Sequence, residues 1–352
     1  MAKRRSLRDG DMLIPLGVLG VIAGVDAMTS PGMVVTASFG VAAVVASALT
    51  TVRRTAAVAV AASVLAALSP VWDHNFGTLG WWVRLAMTVA IGALAVILAN
   101  VRTRREQALQ RMTTIAEVAQ RALLRPMPGS IGSLRFAARY VSATEGALVG
   151  GDLYEVAETP DGVRMIVGDV RGKGLDAVQM AATVLAAFRR AAVMEPSLAA
   201  VAIDLDNVVT AVAGDEDFVT AVLAEFHDDF TVAVVNCGHH PPLLLPDSDA
   251  GRLLDTGEPQ LPLGLNPTLT SVTSRMSEGA RMLFYTDGLI ETRNRQGAFF
   301  PLLDSAATLR IGSLDDALDG LLGQLDEHAA DQPDDDMALV LAERQSTHSA
   351  VE

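Results

Sequence analysis

The stretch from Gly150 to Gly174 constrains the fold of this chain more than any other. Two short apolar segments flank the turn signal Thr-Pro-Asp-Gly at 159–162, a pattern that predicts a β-hairpin. Asp152 opens the first strand and Asp169 closes the second, so an antiparallel hairpin holds the two carboxylates side by side. Two carboxylates this close repel each other unless a proton or a cation lies between them. Taken alone, the stretch is equally compatible with a surface hairpin that carries solvated acids.

More aspartates stand at strand ends far away in the sequence. Asp287 follows the apolar segment 281–286, and Asp335 belongs to an acidic triplet directly before the apolar segment 337–341. Clusters of carboxylate oxygens suit hard cations such as Mg²⁺ or Mn²⁺, whereas zinc prefers Cys and His, and the lone Cys237 has no partner at metal-binding spacing. Two such ions, roughly 3.5–4 Å apart, can share a hydroxide and bind both oxygens of an in-line displacement at phosphorus.

Six motifs occur in order along the chain: GGDLYE, DVRGKG, NCGHHPP, LPLGL, YTDGLIE and DDMALVL. Over about residues 130–345 this series resembles the metal-dependent Ser/Thr protein phosphatases (PPM, type 2C), specifically the bacterial SpoIIE/RsbU-like branch. The resemblance implies an α+β fold, a two-sheet β-sandwich flanked by helices. It also implies a phosphoserine/phosphothreonine protein phosphatase with two Mn²⁺ or Mg²⁺ ions and a bridging hydroxide. The substrate implied for this branch is a phosphorylated anti-sigma-factor antagonist.

The resemblance also assigns catalytic and metal-binding roles to individual positions. It implies that Asp169 bridges both metals and that the main-chain carbonyl of Val170 completes the first metal site. Asp287 and Asp335 would bind the second metal, and Asp152 would lie beside the first, directly or through water.

Several positions depart from the family pattern. Glu155 stands where the first motif usually ends in Asp, and its extra methylene is expected to be tolerated. Arg171 replaces a small residue of this branch and the proposed proton-donating His of some eukaryotic relatives, and an arginine cannot act as a general acid near neutral pH. Both Arg171 and Lys173 could contact a phosphate, or each could be a solvated loop residue. His239 and His240 are adjacent, so they chelate a metal poorly, and the resemblance implies a structural turn there.

Four apolar segments fill the first part of the chain, at 12–28, 32–52, 55–71 and 81–101. Basic residues precede the first segment, separate the second from the third and follow the fourth, whereas the other two loops have none. This alternation predicts a multi-pass cell-membrane protein of four spans, with both termini and the catalytic domain in the cytoplasm. The first and third segments are shorter than the ~20 residues of a typical span, which helix tilt or local thinning can accommodate.

The chain thus divides into a four-span, all-α membrane domain (1–101), a cytoplasmic linker helix (102–128), a PPM-type phosphatase domain (129–345) and a polar tail (346–352). The linker carries an apolar stripe that predicts either the seam of a parallel homodimer or packing on the phosphatase domain. Residues 1–126 have a net charge of +7, which leaves −21 for the remainder to reach the total of −14. An acidic remainder argues against a nucleic-acid partner.

Two functional hypotheses follow from these patterns. The first is a membrane-anchored, metal-dependent protein phosphatase. The second is a catalytically inactive pseudophosphatase, a membrane receptor whose cytoplasmic domain only binds partners. The presence of all four aspartates favours the first hypothesis, and divalent-ion binding distinguishes the two.

Overall fold

A computed structural model describes residues 10–28, 38–73, 76–142, 150–214, 216–247, 250–330 and 335–345. The chain divides into two compact units, Met1–Arg111 and Met112–Glu352. The start of the second apolar segment and the predicted polar tail lie outside the described residues. The domain limits inferred from the sequence stay a prediction.

The described part of the first unit is helical. Thr51 caps the N-terminus of a helix, because its side-chain oxygen accepts a hydrogen bond from the Arg54 N–H. Arg53 and Arg54, the basic residues that separate the second apolar segment from the third, therefore lie in the first turn of that helix. The last helix runs on without interruption into the second unit. The helices are α1 (Gly10–Met28), α2 (Ser38–Leu49), α3 (Val52–Leu68), α4 (Pro70–Asp73) and α5 (Leu79–Leu123).

Within the described residues, two helical segments have the length and composition of a membrane span. One is Leu79–Gln120 in α5, and the other is Leu175–Met194, whose residues contribute to a core cluster of the second unit. Met12–Met28 and Ser38–Leu49 are shorter apolar helices. The four-span membrane domain therefore stays a prediction.

The second unit contains two antiparallel sheets. The strands are β1 (Ser130–Ile131), β2 (Leu134–Val141), β3 (Leu153–Thr159), β4 (Gly162–Val170), β5 (Val219–Phe226), β6 (Thr231–Cys237), β7 (Leu243–Leu245), β8 (Arg252–Leu253), β9 (Ser271–Arg275), β10 (Arg281–Tyr285) and β11 (Met337–Arg344). One sheet has the strand order β1-β2-β11-β10-β7-β8 and the other β3-β4-β5-β6-β9, so the hairpin predicted at 150–174 supplies the first two strands of the second sheet.

Three apolar layers hold this unit together. The middle layer lies between the sheets and includes Met165 and Phe284, one from each sheet. The outer layers bury the apolar faces of helices against the outer side of each sheet. The α+β fold with two sheets and flanking helices is thereby confirmed. The helices are α6 (Leu175–Met194), α7 (Leu198–Val212), α8 (Asp287–Glu291) and α9 (Leu314–His328).

The end of α5 belongs to the second unit and packs on it. Ala116 is buried against Val178 of α6, with Ala119 and Leu123 beside them. This contact supports the packing alternative for the apolar stripe of the linker. Ile115 on the same helix is exposed, and a homodimer through such residues stays a prediction.

Candidate metal centre

The β3–β4 hairpin places its two acids at one end of the sheet. Leu153 pairs with Gly168, so Asp152 and Asp169 lie next to each other on adjacent strands. Gly151 is required at this end, because a Cβ there would lie 2.5 Å from Val170 Cβ and 2.6 Å from the Val170 carbonyl oxygen. The close approach of the two backbones brings the acids together.

The third acid lies just beyond a strand of the other sheet. Asp287 begins α8, with only Thr286 between it and the end of β10. One carboxylate oxygen each from Asp152, Asp169 and Asp287 lie within 4.8 Å of one another. The hydroxyl of Thr286 donates a 2.7 Å hydrogen bond to Asp152 Oδ2. The sandwich therefore brings three of the four predicted aspartates to one point between its sheets, and their role as metal ligands stays a prediction.

Burial and mutual repulsion raise the pKa of all three carboxyl groups. The pKa of Asp152 lies well above its usual value because of burial first and the charge of Asp169 second. Burial and the charge of Asp287 raise the pKa of Asp169 to about 7. The pKa of Asp287 is raised by burial and by Asp335. Three carboxyl groups in this environment bind either a proton or a cation.

Asp335 lies at the rim of this group rather than within it. Its side chain is about half exposed, and its Oδ1 forms an ion pair with Lys173, with 2.9 Å between the oxygen and Nζ. Its charge nevertheless raises the pKa of Asp169 and Asp287. Asp335 is close enough to add its charge to the site, and Lys173 offsets part of that charge.

Sequence reasoning gave no role to Asp336, the buried neighbour of Asp335. Its Oδ2 accepts hydrogen bonds from the Gly150 N–H at 2.5 Å and from the Tyr140 hydroxyl at 2.8 Å. Gln120 of α5 donates to the Tyr140 oxygen at 2.6 Å and to the Gly150 carbonyl at 3.1 Å. These bonds fix the segment that leads into Asp152. The only signal in the sequence was the position of Asp336 next to a buried strand.

Glu155 contacts a helix instead of the metal centre. Its buried carboxylate accepts a 2.5 Å hydrogen bond from Arg189 of α6, which also donates to the Leu123 carbonyl of α5. A longer side chain than Asp suits this reach. Glu155 thus forms an ion pair between β3 and α6, and Arg189 links that pair to the end of α5.

His239 bridges the two sheets behind the acids. Its Nδ1 lies 3.0 Å from the Thr220 hydroxyl and its Nε2 lies 3.0 Å from the Tyr285 carbonyl oxygen. Burial lowers the pKa of His239 to about 3, so the ring is neutral and donates to the carbonyl through Nε2–H. Because both ring nitrogens are in hydrogen bonds, His239 has no free nitrogen with which to bind a metal.

A cavity of about 250 Å³ adjoins the acids. Its lining includes Asp169 and Asp287 together with Arg171, Phe218 and His240. The site therefore combines an acidic group able to hold cations with an open space beside it that carries a fixed positive charge.

The family model of "Stage II sporulation protein E (SpoIIE)" matches residues 159–345, more than half of the chain. The match includes Asp169, Asp287 and Asp335 and begins after Asp152. It also includes most strands of both sheets.

Solved structures share the fold at low sequence identity. The SiaA-PP2C domain of Pseudomonas aeruginosa has a TM-score of 0.56 at 20% identity, over 70% of this chain and 99% of that domain. The RsbU and RsbW domains of a Mycobacterium tuberculosis protein give 0.52 at 23% identity, over 63% of this chain. The PP2C phosphatase domain and regulatory fragment of Bacillus subtilis SpoIIE give 0.51 at 15% identity, over 60% of this chain.

The chain spans 64% of each of the last two structures, which is less than two thirds of their length. These similarities establish the two-sheet fold, and the family match covers the same part of the chain. The chain therefore belongs to the Stage II sporulation protein E (SpoIIE) family of PP2C-type phosphatase domains.

Proposed function

We propose that this chain is a membrane-anchored, metal-dependent phosphoserine/phosphothreonine protein phosphatase. One observation carries the proposal: Asp152, Asp169 and Asp287 lie at strand ends of two different sheets and present carboxylate oxygens within 4.8 Å of one another. Such an arrangement of buried anions is unfavourable by itself. It is explained if the site exists to bind cations.

The residues present fit Mn²⁺ or Mg²⁺. The donor set consists of carboxylate oxygens, which both ions prefer, and no Cys or His of the described residues belongs to the cluster. In the proposed site Asp169 would be shared by the two ions, and the Val170 carbonyl would complete the site of the first. Asp287 and Asp335 would hold the second ion, and Asp152 would lie beside the first, directly or through water.

A pair of bound divalent ions would activate a water molecule near neutral pH and offset the charge that develops on the phosphoryl oxygens. The chain's own residues would supply the geometry. Thr286 fixes Asp152 Oδ2 by donating its hydroxyl hydrogen. Asp336 holds the Gly150 N–H and thereby the segment before Asp152. Arg171 cannot act as a general acid near neutral pH, so the leaving group would take its proton from water or leave without a general acid.

The proposed substrate and location rest on separate observations. The SpoIIE/RsbU-like resemblance supports a phosphorylated anti-sigma-factor antagonist as substrate. The apolar helices of the first unit support anchoring in the cell membrane. The flanking basic residues support four spans with a cytoplasmic phosphatase domain.

The full-length protein, purified in detergent, should hydrolyse a phosphoserine or phosphothreonine peptide only when Mn²⁺ or Mg²⁺ is added. Phosphate release is the measurement, and re-addition of the ion after chelation is the control. Full activity in the presence of a chelator would rule out the proposed mechanism.

One observation favours the pseudophosphatase as a second candidate. Asp335, assigned to the second metal, lies outside the 4.8 Å group and is paired with Lys173. Calorimetric titration separates the two candidates, because a pseudophosphatase that only binds partners would take up no Mn²⁺ and release no phosphate.

Lys173→Gln should tighten Mn²⁺ binding by roughly two- to fivefold. The ammonium of Lys173 competes with a cation for Asp335, and an exposed ion pair of this kind contributes about 0.2–1 kcal/mol. Calorimetry measures the Kd, and Lys173→Arg should keep it near the wild-type value. The matched control is Arg190→Gln, which removes the exposed ion pair with Asp204 on the outer helices. Weaker Mn²⁺ binding by Lys173→Gln would contradict this expectation.

A further inference from the structure

Arg171 places a fixed positive charge in the lining of the cavity beside the acids. The cavity of about 250 Å³ has about eight times the ~30 Å³ that a water molecule occupies in the liquid. It is smaller than the ~300–1,000 Å³ of typical sites for drug-sized ligands. A phosphorylated side chain therefore suits its size better than a cofactor. Its lining includes both Asp169 and Asp287, so a group bound there touches the acidic cluster.

The guanidinium of Arg171 is held in place by Glu216 and Phe218. It donates a hydrogen bond to the Glu216 carbonyl, lies 3.4 Å from the Glu216 carboxylate and stacks at 5.3 Å from the centroid of the Phe218 ring. The Arg171 N–H of the main chain also donates to the Phe218 carbonyl at 3.0 Å. A side chain braced in this way loses little freedom when it binds a ligand.

The guanidinium of Arg171 still has N–H donors with which to bind an anion. It carries more N–H donors than the two Glu216 contacts use, and its planar fork matches the oxygens of a phosphate. The Glu216 carboxylate is mostly exposed, at 84%, so its ion pair with Arg171 is weak and a phosphate dianion can displace it.

The acids and the arginine of this cavity would bind opposite charges. Metal ions held by the aspartates would neutralise the carboxylates, and a phosphate dianion would then bring two further negative charges. Lys173 is engaged with Asp335, whereas Arg171 lines the cavity itself. We propose that Arg171 binds the substrate phosphate. Its guanidinium donates hydrogen bonds to non-bridging oxygens of the phosphorylated residue in this cavity, and the Glu216 carboxylate competes for the same N–H donors. This inference rests on the proposed phosphatase function and names the residue that recognises its substrate.

The test uses the full-length, Mn²⁺-loaded protein with two probes, a phosphoserine peptide as substrate and inorganic phosphate as ligand. Arg171→Met should raise the KM for the peptide and the Kd for inorganic phosphate by roughly 10- to 100-fold, the range for one charged hydrogen-bonded contact. The Kd for Mn²⁺ should stay unchanged. Arg171→Lys should lie between the wild type and Arg171→Met, because it keeps the charge and loses the fork. Glu216→Gln should bind phosphate a few-fold more tightly.

The matched control is Arg293→Met. Arg293 also stacks on a phenylalanine, at 4.1 Å from the Phe299 ring, and donates to a main-chain carbonyl, but it does not line the cavity. Its KM and phosphate Kd should equal those of the wild type.

Unchanged KM and phosphate Kd in Arg171→Met, with hydrolysis intact, would overturn the inference and leave the phosphatase function standing. A fall in kcat alone would overturn it as well. If Arg171→Met does not fold, unchanged phosphate affinity in both Arg171→Lys and Glu216→Gln would likewise overturn the inference. Absence of hydrolysis by the wild type would instead refute the proposed function, and the phosphate titration would still test Arg171.

Discussion

Asp169→Asn should lower kcat/KM for a phosphoserine peptide by on the order of 10³-fold or more. The substitution keeps the shape of the side chain and removes the charge that the site would use to hold cations, and metal-based stabilisation of phosphoryl transfer depends on those cations. The Kd for Mn²⁺ should rise in parallel. Phosphate release and calorimetric titration of the full-length protein are the measurements.

A loss of folding would also abolish activity, and the stability of the variant separates the two explanations. Burial and the charge of Asp287 raise the pKa of Asp169, which means that its anion is unfavourable in the folded protein without a cation. Asp169→Asn should therefore melt at a higher temperature than the wild type in chelator at about pH 8, above the raised pKa. Asp326→Asn, on the exposed face of α9, should change neither activity nor melting. An active Asp169→Asn would remove the basis of the proposed mechanism.

The second large effect is the dependence of stability on pH in the absence of divalent ions. The pKa of Asp169 is raised from its usual 3.8 to about 7, so between these values the folded protein holds a proton that the unfolded chain has released. The free energy of unfolding should fall as pH rises through this window and level off above pH about 7, by on the order of a few kcal/mol. Thermal melting in chelator, from about pH 5 to about pH 8, measures the slope.

Added Mn²⁺ should reverse this trend, because the cation replaces the proton between the carboxylates. The affinity for Mn²⁺ should rise with pH up to about 7, and binding should release protons, which titrations in buffers of different ionisation enthalpy detect. Asp169→Asn should flatten the slope in chelator and so assign it to this site. If the free energy of unfolding of the wild type instead rises with pH in chelator, the ionised carboxylates do not destabilise the metal-free protein.

Local patterns were sufficient where neighbouring residues decide the structure. The turn at 159–162 set the register of β3 and β4, which form the hairpin predicted from the stretch 150–174. The apolar segments predicted at 281–286 and 337–341 appear as β10 (Arg281–Tyr285) and β11 (Met337–Arg344). In each case the periodicity of a single segment carries the information.

Contacts between residues that are far apart in the sequence could not be predicted from local patterns. No spacing in the sequence links Gln120 and Tyr140 to Asp336, or Glu155 to Arg189, because these residues meet only when helix and sheet pack. The position of Asp335 at the rim is of the same kind, since its ion pair with Lys173 depends on how the start of α6 approaches β11.

The sequence by itself determined the order of the motifs, the acid at each strand end and the helices and hairpins around them, because propensity and periodicity act over a few residues. Tertiary structure alone decided that Asp287, beyond a strand end of one sheet, comes within 4.8 Å of Asp152 and Asp169 at strand ends of the other, and that Arg171 lines the adjoining cavity. The physical reason is that burying the apolar faces of both sheets in one core brings their strand ends together, and no local interaction encodes that distance.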